Sequence, residues 1–337
     1  MLRIGLLGVG HLGKIHLKCI QLARQDLQLV GFYDPNPEMA QQVADDTGVQ
    51  AFTSVEDLLE QVDAVDIVTP TPTHHALAKQ ALLAGKHVFV EKPLTHTLSE
   101  ALELMEISRK QRLLVQVGHV ERFNPAMLAL QERSVDPYFI EAHRLATFNP
   151  RGTDVSVVLD LMIHDLDIIL SLAKSEVADV RASGVAVVSD SPDIVNARVE
   201  FANGAVANLT ASRISLKQMR KIRLFQPDAY ISLDLLDKET QIVRLYEADA
   251  TDIPEEGQAF PLDTPKGPRI IHVNQPELGP VNAIQLELET FARSVAAGER
   301  AAVSIEDGFK ALQLAQRITE VMQEKQDQLP APQIPKS

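Results

Sequence analysis

The chain opens on Met1-Leu-Arg-Ile-Gly-Leu-Leu-Gly-Val-Gly-His-Leu-Gly13, an apolar run that breaks into three glycines. Gly8 allows a tight strand-to-helix turn, and Gly10 lets the backbone approach a pyrophosphate without an intervening Cβ. Gly13 lets the helix pack closely on the strand, while the helix N-terminus faces the anion. The spacing predicts a dinucleotide-binding turn.

The residues around this turn strengthen the prediction. An amphipathic helix follows, and the next apolar strand, 27–34, ends in Asp34 roughly 20 residues after the last glycine. A carboxylate there accepts both ribose hydroxyls of NAD, whereas the 2′-phosphate of NADP would meet like charge. We therefore predict NAD as cofactor, with His11 and Leu12 also beside it. The alternative for Asp34 is an ordinary turn residue before Pro35-Asn36-Pro37.

Composition limits the functional classes. A chain of 337 residues, 45% hydrophobic, is long enough for two domains. Its net charge of −14 argues against a nucleic-acid partner, which requires clustered lysines and arginines. The sequence has no signal-peptide layout and no membrane-spanning stretch, so we expect a cytoplasmic protein without a membrane partner. Cys19 is the single cysteine, which excludes an internal disulfide and a cysteine-based metal site.

Two halves of the chain differ in their apolar patterns. In residues 1–120, short apolar runs at 64–69, 87–91 and 114–118 alternate with helical patterns at 74–83 and 98–112. Repeated βα units of this kind predict an N-terminal, doubly wound parallel Rossmann sheet that binds NAD. Thr97 and Glu100 have the spacing of a capping box at the start of one helix.

Residues 121–327 predict a C-terminal α/β domain with a large open, mainly antiparallel sheet. A helix is expected at 157–172, followed by strands at 177–188, 196–201, 205–212, 221–225, 230–235 and 241–246. Asn203-Gly204 signals a hairpin between two of them. Helices at 283–297 and 305–323 are expected to complete the fold by docking on the first domain, and the proline-containing segment 328–337 to form a flexible tail.

Two groups of residues have the chemistry of a catalytic site. Glu91-Lys92-Pro93 follows an apolar strand at its carboxyl end, where such sheets bind ligands, and Lys92 would then reach the nicotinamide edge. A cis bond at the proline would aim the preceding side chain into the cleft. Alone, a lysine at a strand end is usually solvated surface.

Asp160 and His164 are four residues apart, so on a helix they share one face. An imidazole can take a proton near neutral pH, and a neighbouring carboxylate can orient it. The alternative is a polar stripe on an ordinary helix, because Asp165 and Asp167 add further acids. A zinc site lacks a clear third ligand, so we predict no metal.

Taken together, these motifs resemble the family of glucose-fructose oxidoreductase and inositol dehydrogenase, the Gfo/Idh/MocA family. The resemblance covers nearly the whole chain and rests on motifs in one order: 8–13, Thr69-Pro70 with His74, 91–93, 118–125 and the Asp160/His164 pair. It implies an NAD-dependent oxidoreductase acting on CH–OH groups, in which Lys92, Asp160 and His164 meet over the nicotinamide. It also implies that Thr69, Pro70, His74, Glu91, Lys92 and Arg122 bind the cofactor.

Within the family, segments 120–125 and 208–215 are most similar to members that oxidise the C3 hydroxyl of UDP-N-acetylglucosamine on a pathway to 3-amino lipid A. That similarity implies a later transamination by a pyridoxal-phosphate aminotransferase, and a homo-oligomer formed through the C-terminal sheet. Many relatives have a glycine run and a small residue where this chain has Asp154-Val155-Ser156 and Met162. The sugar therefore cannot be taken from the inositol or glucose enzymes.

The expected substrate contacts include a basic stretch at 213–223. Arg213 and Lys217 are candidates for a diphosphate, with a solvated sheet edge as the alternative. Arg122 and Asn124 follow a strand of the nucleotide domain and are expected near the substrate, together with Lys92, Asp160 and His164. Two other functions remain open: oxidation of a free polyol or sugar, and a sensor that binds dinucleotide without turnover.

Overall fold

A computed structural model of the chain describes residues 1–131, 133–149, 155–276 and 279–326. The predicted tail at 328–337 and Asp154 lie outside these ranges. Among the helices within them, none is both long enough and apolar enough to cross a bilayer.

Strands and helices alternate through the N-terminal part of the chain. The elements are β1 (Leu2–Leu7), α1 (His11–Leu22), β2 (Leu27–Tyr33), α2 (Pro37–Thr47), α3 (Val55–Gln61), β3 (Ala64–Ile67), α4 (His74–Leu83), β4 (His87–Glu91), α5 (Leu98–Gln111) and β5 (Val115–Gly118). Within the described residues the strands form a parallel sheet in the order β2-β1-β3-β4-β5. The predicted doubly wound sheet is confirmed.

Helix starts in this region follow capping rules. Thr97 and Glu100 make the predicted capping box at the start of α5, each side chain bonding the other residue's amide. The Pro35-Asn36-Pro37 segment after β2 also starts a helix. Asn36 caps α2 by accepting a hydrogen bond from the Met39 amide, and Pro37 takes the first helical position, where no N–H is needed.

The remaining elements begin with a short helix and continue mainly as strands. They are α6 (Pro125–Leu128), β6 (Phe139–Leu145), a π-helical turn (Val158–Met162), α7 (Ile163–Ala173), β7 (Val177–Val185), β8 (Ile194–Phe201), β9 (Val206–Ser212), β10 (Met219–Gln226), β11 (Ala229–Asp234), β12 (Glu239–Glu247), β13 (Gln258–Thr264), β14 (Gly267–Asn274), α8 (Ala283–Ala297) and α9 (Ile305–Gln326). The predicted helix at 283–297 is confirmed, with the same first and last residues.

The described strands after residue 123 form one sheet in the order β13-β14-β12-β11-β10-β6-β9-β8-β7. Its described neighbours are antiparallel except β6 and β9, so the predicted mainly antiparallel sheet is confirmed. The sequence did not predict β6, β13 or β14. In β6 a core-facing position is occupied by Arg144, and β13 is almost wholly exposed, so neither has the expected apolar alternation.

The chain divides into two compact units, each with its own core. The first comprises Met1–Phe123 and Pro280–Leu312, and the second Asn124–Gly279 with the chain from Gln313 onward. In the first unit, Leu288 and Phe291 of α8 pack with Ile4, Ile20 and Phe89. The core of the second unit lies under its sheet and includes residues of β6, α7 and the later part of α9.

A buried ion pair attaches α7 to the sheet of the second unit. Arg144 on β6 donates to both carboxylate oxygens of Asp165 on α7, at 2.7 to 3.1 Å. The two side chains are only 4% and 3% exposed, so the charges are removed from water and depend on each other. Since Asp165 follows His164 directly, this pair fixes α7 at that point.

We predict that Asp165→Asn lowers stability far more than removal of an exposed pair. Breaking a buried pair by changing one partner costs about 3–5 kcal/mol, because the other charge stays buried. The control is Asp179→Asn, whose partner Arg181 is 69% exposed and whose contribution should be at most about 1 kcal/mol. Thermal unfolding followed by circular dichroism measures both variants, and equal melting temperatures would contradict this role for the buried pair.

Candidate active site

The glycine turn between β1 and α1 is closely packed at two positions and open at the third. Gly8 has a φ of +93°, and a Cβ on Gly13 would lie 2.1 Å from the Gly8 carbonyl oxygen. Gly10 differs, because within the described chain no heavy atom lies within 4 Å of the Cβ position. The turn therefore requires glycine for its own backbone at 8 and 13, and leaves open space at 10.

That open space lies at the start of α1. Gly10 is the N-cap residue, and among the described residues no side chain caps this helix end. The first backbone N–H groups of α1 are thus available to an anion, with the helix dipole favouring negative charge. His11 and Leu12 in the first turn are exposed, as a cofactor contact would require.

Asp34 holds the glycine turn against the end of β2. One carboxylate oxygen accepts a hydrogen bond from the Val9 amide at 2.9 Å, and the other accepts one from the Asn36 amide at 2.9 Å. The side chain is only partly buried, so its oxygens have further capacity to accept ribose hydroxyls. The open helix end, the space at Gly10 and this carboxylate fit a bound dinucleotide.

His74 connects the loops that follow β3 and β4. Its ring is buried, with Nδ1 2.9 Å from the Pro93 carbonyl oxygen and Nε2 2.8 Å from the Thr69 carbonyl oxygen. Thr73 adds a hydrogen bond from its hydroxyl to that of Thr69 at 2.7 Å. His74 therefore fixes both loops at the carboxyl edge of the sheet.

Lys92 lies at this same edge, directly after β4. It is half-buried, and the Lys92–Pro93 peptide bond is cis. Its backbone amide donates to Glu91 Oε2 at 3.2 Å.

Behind Lys92 lies a buried charged cluster that the sequence analysis missed. His16 on α1 has Nδ1 2.9 Å from Asp66 Oδ2 and Nε2 3.2 Å from Glu91 Oε1. Burial alone would lower the pKa of His16, but the two carboxylates outweigh it and raise that pKa well above its usual range. The available signal was Asp66, a charged residue in the middle of the buried strand β3.

Asp160 and His164 lie in the second unit, both half-buried. Asp160 is in the π-helical turn and His164 in the first turn of α7. The prediction that they share a face assumed a regular α-helix; the wider π turn changes the angle between them. The helix itself is confirmed.

Arg213 and Lys217 follow β9 and differ in exposure. Arg213 is buried, donates to the Val155 carbonyl oxygen at 2.7 Å and lies 3.9 Å from the Asp193 carboxylate. Asp193 accepts hydrogen bonds from Ser189 and three amides, which outweigh the effect of burial and lower its pKa to about 2. Lys217 is exposed in the loop before β10.

The remainder of the basic stretch is largely paired within the sheet. Lys221 lies 3.0 Å from Asp234 of β11, and Arg223 lies 3.4 Å from Glu141 of β6. Cross-strand pairs of this kind are ordinary sheet contacts. Of the predicted diphosphate ligands, Arg213 thus has internal partners and Lys217 faces solvent; the role of both stays a prediction.

Arg122 and Asn124 follow β5. Asn124 is buried, caps α6 by accepting from the Ala126 amide at 3.0 Å, and donates to the Leu235 carbonyl oxygen at 2.9 Å. Arg122 is half-buried in a 3₁₀ turn. The expected substrate contact of each residue stays a prediction.

Comparison with known proteins agrees with this architecture over both units. Residues 2–119 match a family described as an oxidoreductase family with an NAD-binding Rossmann fold, and residues 135–228 match the GFO/IDH/MocA C-terminal domain. UDP-N-acetylglucosamine 3-dehydrogenase of Acidithiobacillus ferrooxidans is 40% identical over 88% of this chain and 89% of its own.

Two further relatives cover nearly the whole chain. A solved structure of UDP-N-acetylglucosamine 3-dehydrogenase GnnA from Acidithiobacillus ferrooxidans superposes with a TM-score of 0.85 at 37% identity, covering 96% of this chain and 98% of that one. Myo-inositol 2-dehydrogenase of Thermotoga maritima is 28% identical over 96% of this chain and 97% of its own. The chain therefore belongs to the Gfo/Idh/MocA family of NAD-binding oxidoreductases, which act on CH–OH groups.

Proposed function

We propose that this protein oxidises the C3 hydroxyl of UDP-N-acetylglucosamine to a 3-keto sugar nucleotide. The observation that carries the proposal is the end-to-end similarity to the UDP-N-acetylglucosamine 3-dehydrogenase of Acidithiobacillus ferrooxidans, which spans both units. The inositol dehydrogenases that match the chain are less similar to it. Segments 120–125 and 208–215 support the same substrate.

NAD, when bound, supplies the acceptor for the hydride that leaves C3. The protein must remove the hydroxyl proton and stabilise the alkoxide character that develops on oxygen. We assign proton removal to His164, orientation of its ring to Asp160, and a hydrogen bond to the reacting oxygen to Lys92. Lys92 is the alternative proton acceptor. The hydroxyl oxygen thus loses its proton to His164 or Lys92, and the C3 hydrogen with its bonding electron pair would leave as the hydride that bound NAD accepts.

The sugar nucleotide also needs cationic contacts for its diphosphate. Of the two predicted residues, Lys217 is exposed, whereas Arg213 is buried against the Val155 carbonyl oxygen. We therefore infer that Lys217 contacts the phosphates. Arg213 stays a candidate for the same contact and also holds the segment that precedes the π turn. Arg122 and Asn124 remain candidates for substrate contact, with Asn124 acting through the start of α6.

A second candidate function is oxidation of a free polyol. It is favoured by the similarity over almost the full length to a myo-inositol 2-dehydrogenase. A polyol requires no phosphate contact, so the two functions differ in whether the nucleotide portion of the substrate is necessary.

The proposed product determines what must follow it. A 3-keto sugar nucleotide can be converted to a 3-amino sugar by a pyridoxal-phosphate aminotransferase, as in 3-amino lipid A formation. We propose such an enzyme as the pathway partner, a homo-oligomer formed through the C-terminal sheet, and action in the cytoplasm. These three statements stay predictions.

Cofactor preference should depend on Asp34. We predict tighter binding of NAD than of NADP, because the Asp34 carboxylate lies where a 2′-phosphate would be placed. A difference of about 1.4 kcal/mol would give a tenfold affinity ratio. Titration of both cofactors measures that ratio, which Asp34→Ser should reduce. Equal or tighter binding of NADP by the unaltered protein would remove Asp34 from this role.

Lys92→Ala and His164→Ala should each lose turnover while retaining NAD affinity, because their proposed contacts strengthen only as the hydroxyl loses its proton. We expect losses of at least about 100-fold in kcat. Lys110→Ala, which removes an exposed partner of Glu106 on α5, is the control and should be unaffected. Near-normal turnover in both site variants would refute the catalytic assignment.

The substrate test compares UDP-N-acetylglucosamine with free N-acetylglucosamine and inositol. We expect NADH formation only with the sugar nucleotide, since its remote binding energy is needed to position C3. With C3-deuterated UDP-N-acetylglucosamine, mass spectrometry should find the label on NADH. An aminotransferase with an amino donor should draw the reaction forward. Label retained in the product, or activity on inositol alone, would replace this function with the polyol dehydrogenase.

A further inference from the structure

A buried histidine lies between two carboxylates in the first unit, and each of the three side chains comes from a different element. His16 belongs to α1, Asp66 to β3 and Glu91 to β4. The histidine and Asp66 are 0% exposed, and the Glu91 side chain is 12% exposed. The cluster therefore connects the helix that starts at the glycine turn with the strand that directly precedes Lys92.

The geometry favours a charged imidazole. Both ring nitrogens face carboxylate oxygens, at 2.9 and 3.2 Å. A neutral imidazole that donates to Asp66 would place the Nε2 lone pair near the Glu91 carboxylate, whereas an imidazolium donates to Asp66 from Nδ1 and attracts Glu91 by its charge. The Nε2–Glu91 contact lies at ion-pair distance without the alignment of a hydrogen bond. The raised pKa of His16 agrees, because its two carboxylates outweigh burial. The Cys19 thiol on the same helix also interacts electrostatically with His16, and burial raises the pKa of that thiol.

Glu91 connects His16 with the backbone at the end of β4. One of its carboxylate oxygens faces His16, and the other accepts the hydrogen bond of the Lys92 amide at 3.2 Å. Gly118 of β5 leaves room for the carboxylate, since a Cβ there would lie 2.8 Å from Glu91 Oε1. The orientation of the Glu91 side chain and the backbone of Lys92 are thus fixed together.

Stability alone does not account for such a cluster. Buried ion pairs are often no more stabilising than well-packed apolar side chains of the same volume, because desolvation cancels the attraction. Their recurrent use is to fix a defined geometry. Here the group that is fixed is the backbone from which the Lys92 side chain extends.

We propose that His16, held by Asp66, is a positioning residue that fixes the Glu91 carboxylate and, through it, the placement of Lys92 for proton and alkoxide chemistry. The proposal rests on the proposed role of Lys92. It adds a positioning role for Glu91, through contacts of both carboxylate oxygens within the chain, to the sequence expectation that this residue binds the cofactor, which stays a prediction.

The experiment compares His16→Gln, Glu91→Ala and Glu91→Gln with the control His75→Gln. His75 makes a similar contact with Glu103, at 2.7 Å, but lies on α4 away from this cluster. We expect His16→Gln and Glu91→Ala to lower kcat by at least about 10-fold, as misplacement of a catalytic group does. KM and the dissociation constant of NAD should remain within about threefold. Glu91→Gln keeps an oxygen for the Lys92 amide and should be less impaired than Glu91→Ala.

Two measurements need no substrate. The signals of His16 in nitrogen-15 spectra of the histidine rings are identified as those absent from His16→Gln. These signals should show both ring nitrogens of His16 protonated at pH 8. Amide hydrogen exchange of Lys92 should become faster in His16→Gln and Glu91→Ala but not in the control. If His16→Gln fails to fold, the two Glu91 variants still test whether the Glu91 carboxylate fixes the placement of Lys92.

The outcomes separate this proposal from the proposed function. Absence of turnover of UDP-N-acetylglucosamine by the unaltered protein would refute that function, while the ring spectra and the Lys92 exchange still test the cluster. A neutral His16 ring, unchanged exchange of Lys92, or losses confined to KM and NAD affinity would overturn the positioning role. A lower melting temperature with unchanged kcat would also overturn it, since that result indicates a structural role only.

Discussion

The close contact between residue 13 and the Gly8 carbonyl oxygen determines where α1 can lie. With no Cβ at residue 13 the helix starts directly against the turn, and any larger side chain would push it away from β1. The direction of the open helix end depends on that placement, because the N–H groups of the first turn point along the helix axis. The position of His16 depends on it too, since His16 lies one turn further along on the buried side of the same helix. The contact that places the open helix end thus also brings an imidazole to the strand end at Glu91.

Much of the first unit could be predicted because its signals are local. The glycine spacing, the alternation of apolar runs and the capping box at Thr97 each depend on residues adjacent in sequence, and each has its expected structure. The position of Lys92 directly after a strand followed from the same reasoning. What could not be predicted there was the partner of Asp66. A charged residue in a buried strand indicates a compensating group, but the sequence does not say that it comes from α1.

In the second unit the missed features depend on contacts between distant residues. Strand β6 was missed because Arg144 occupies a core position, which is acceptable only when Asp165 of α7 lies opposite. The basic stretch near residue 220 was interpreted as a ligand surface, yet Lys221 and Arg223 lie opposite acids on neighbouring strands. Strand register decides that pairing, and register is not visible in a single charge run. The pattern at 157–172 predicted the helix, but the spacing of Asp160 and His164 did not reveal the wider turn within it.

The π-helical turn at Val158–Met162 has a consequence for how this family can diversify. Such a turn accommodates an additional residue within a helix, so the residues before it have a different angle about the helix axis relative to the residues after it. The downstream part, α7, stays fixed to β6 by Arg144 and Asp165. Gain or loss of a single residue in this turn would therefore reorient Asp160 while His164 and the rest of α7 keep their register on the sheet. A one-residue change in this turn would thus alter the orientation of Asp160 and leave the core of the unit unchanged.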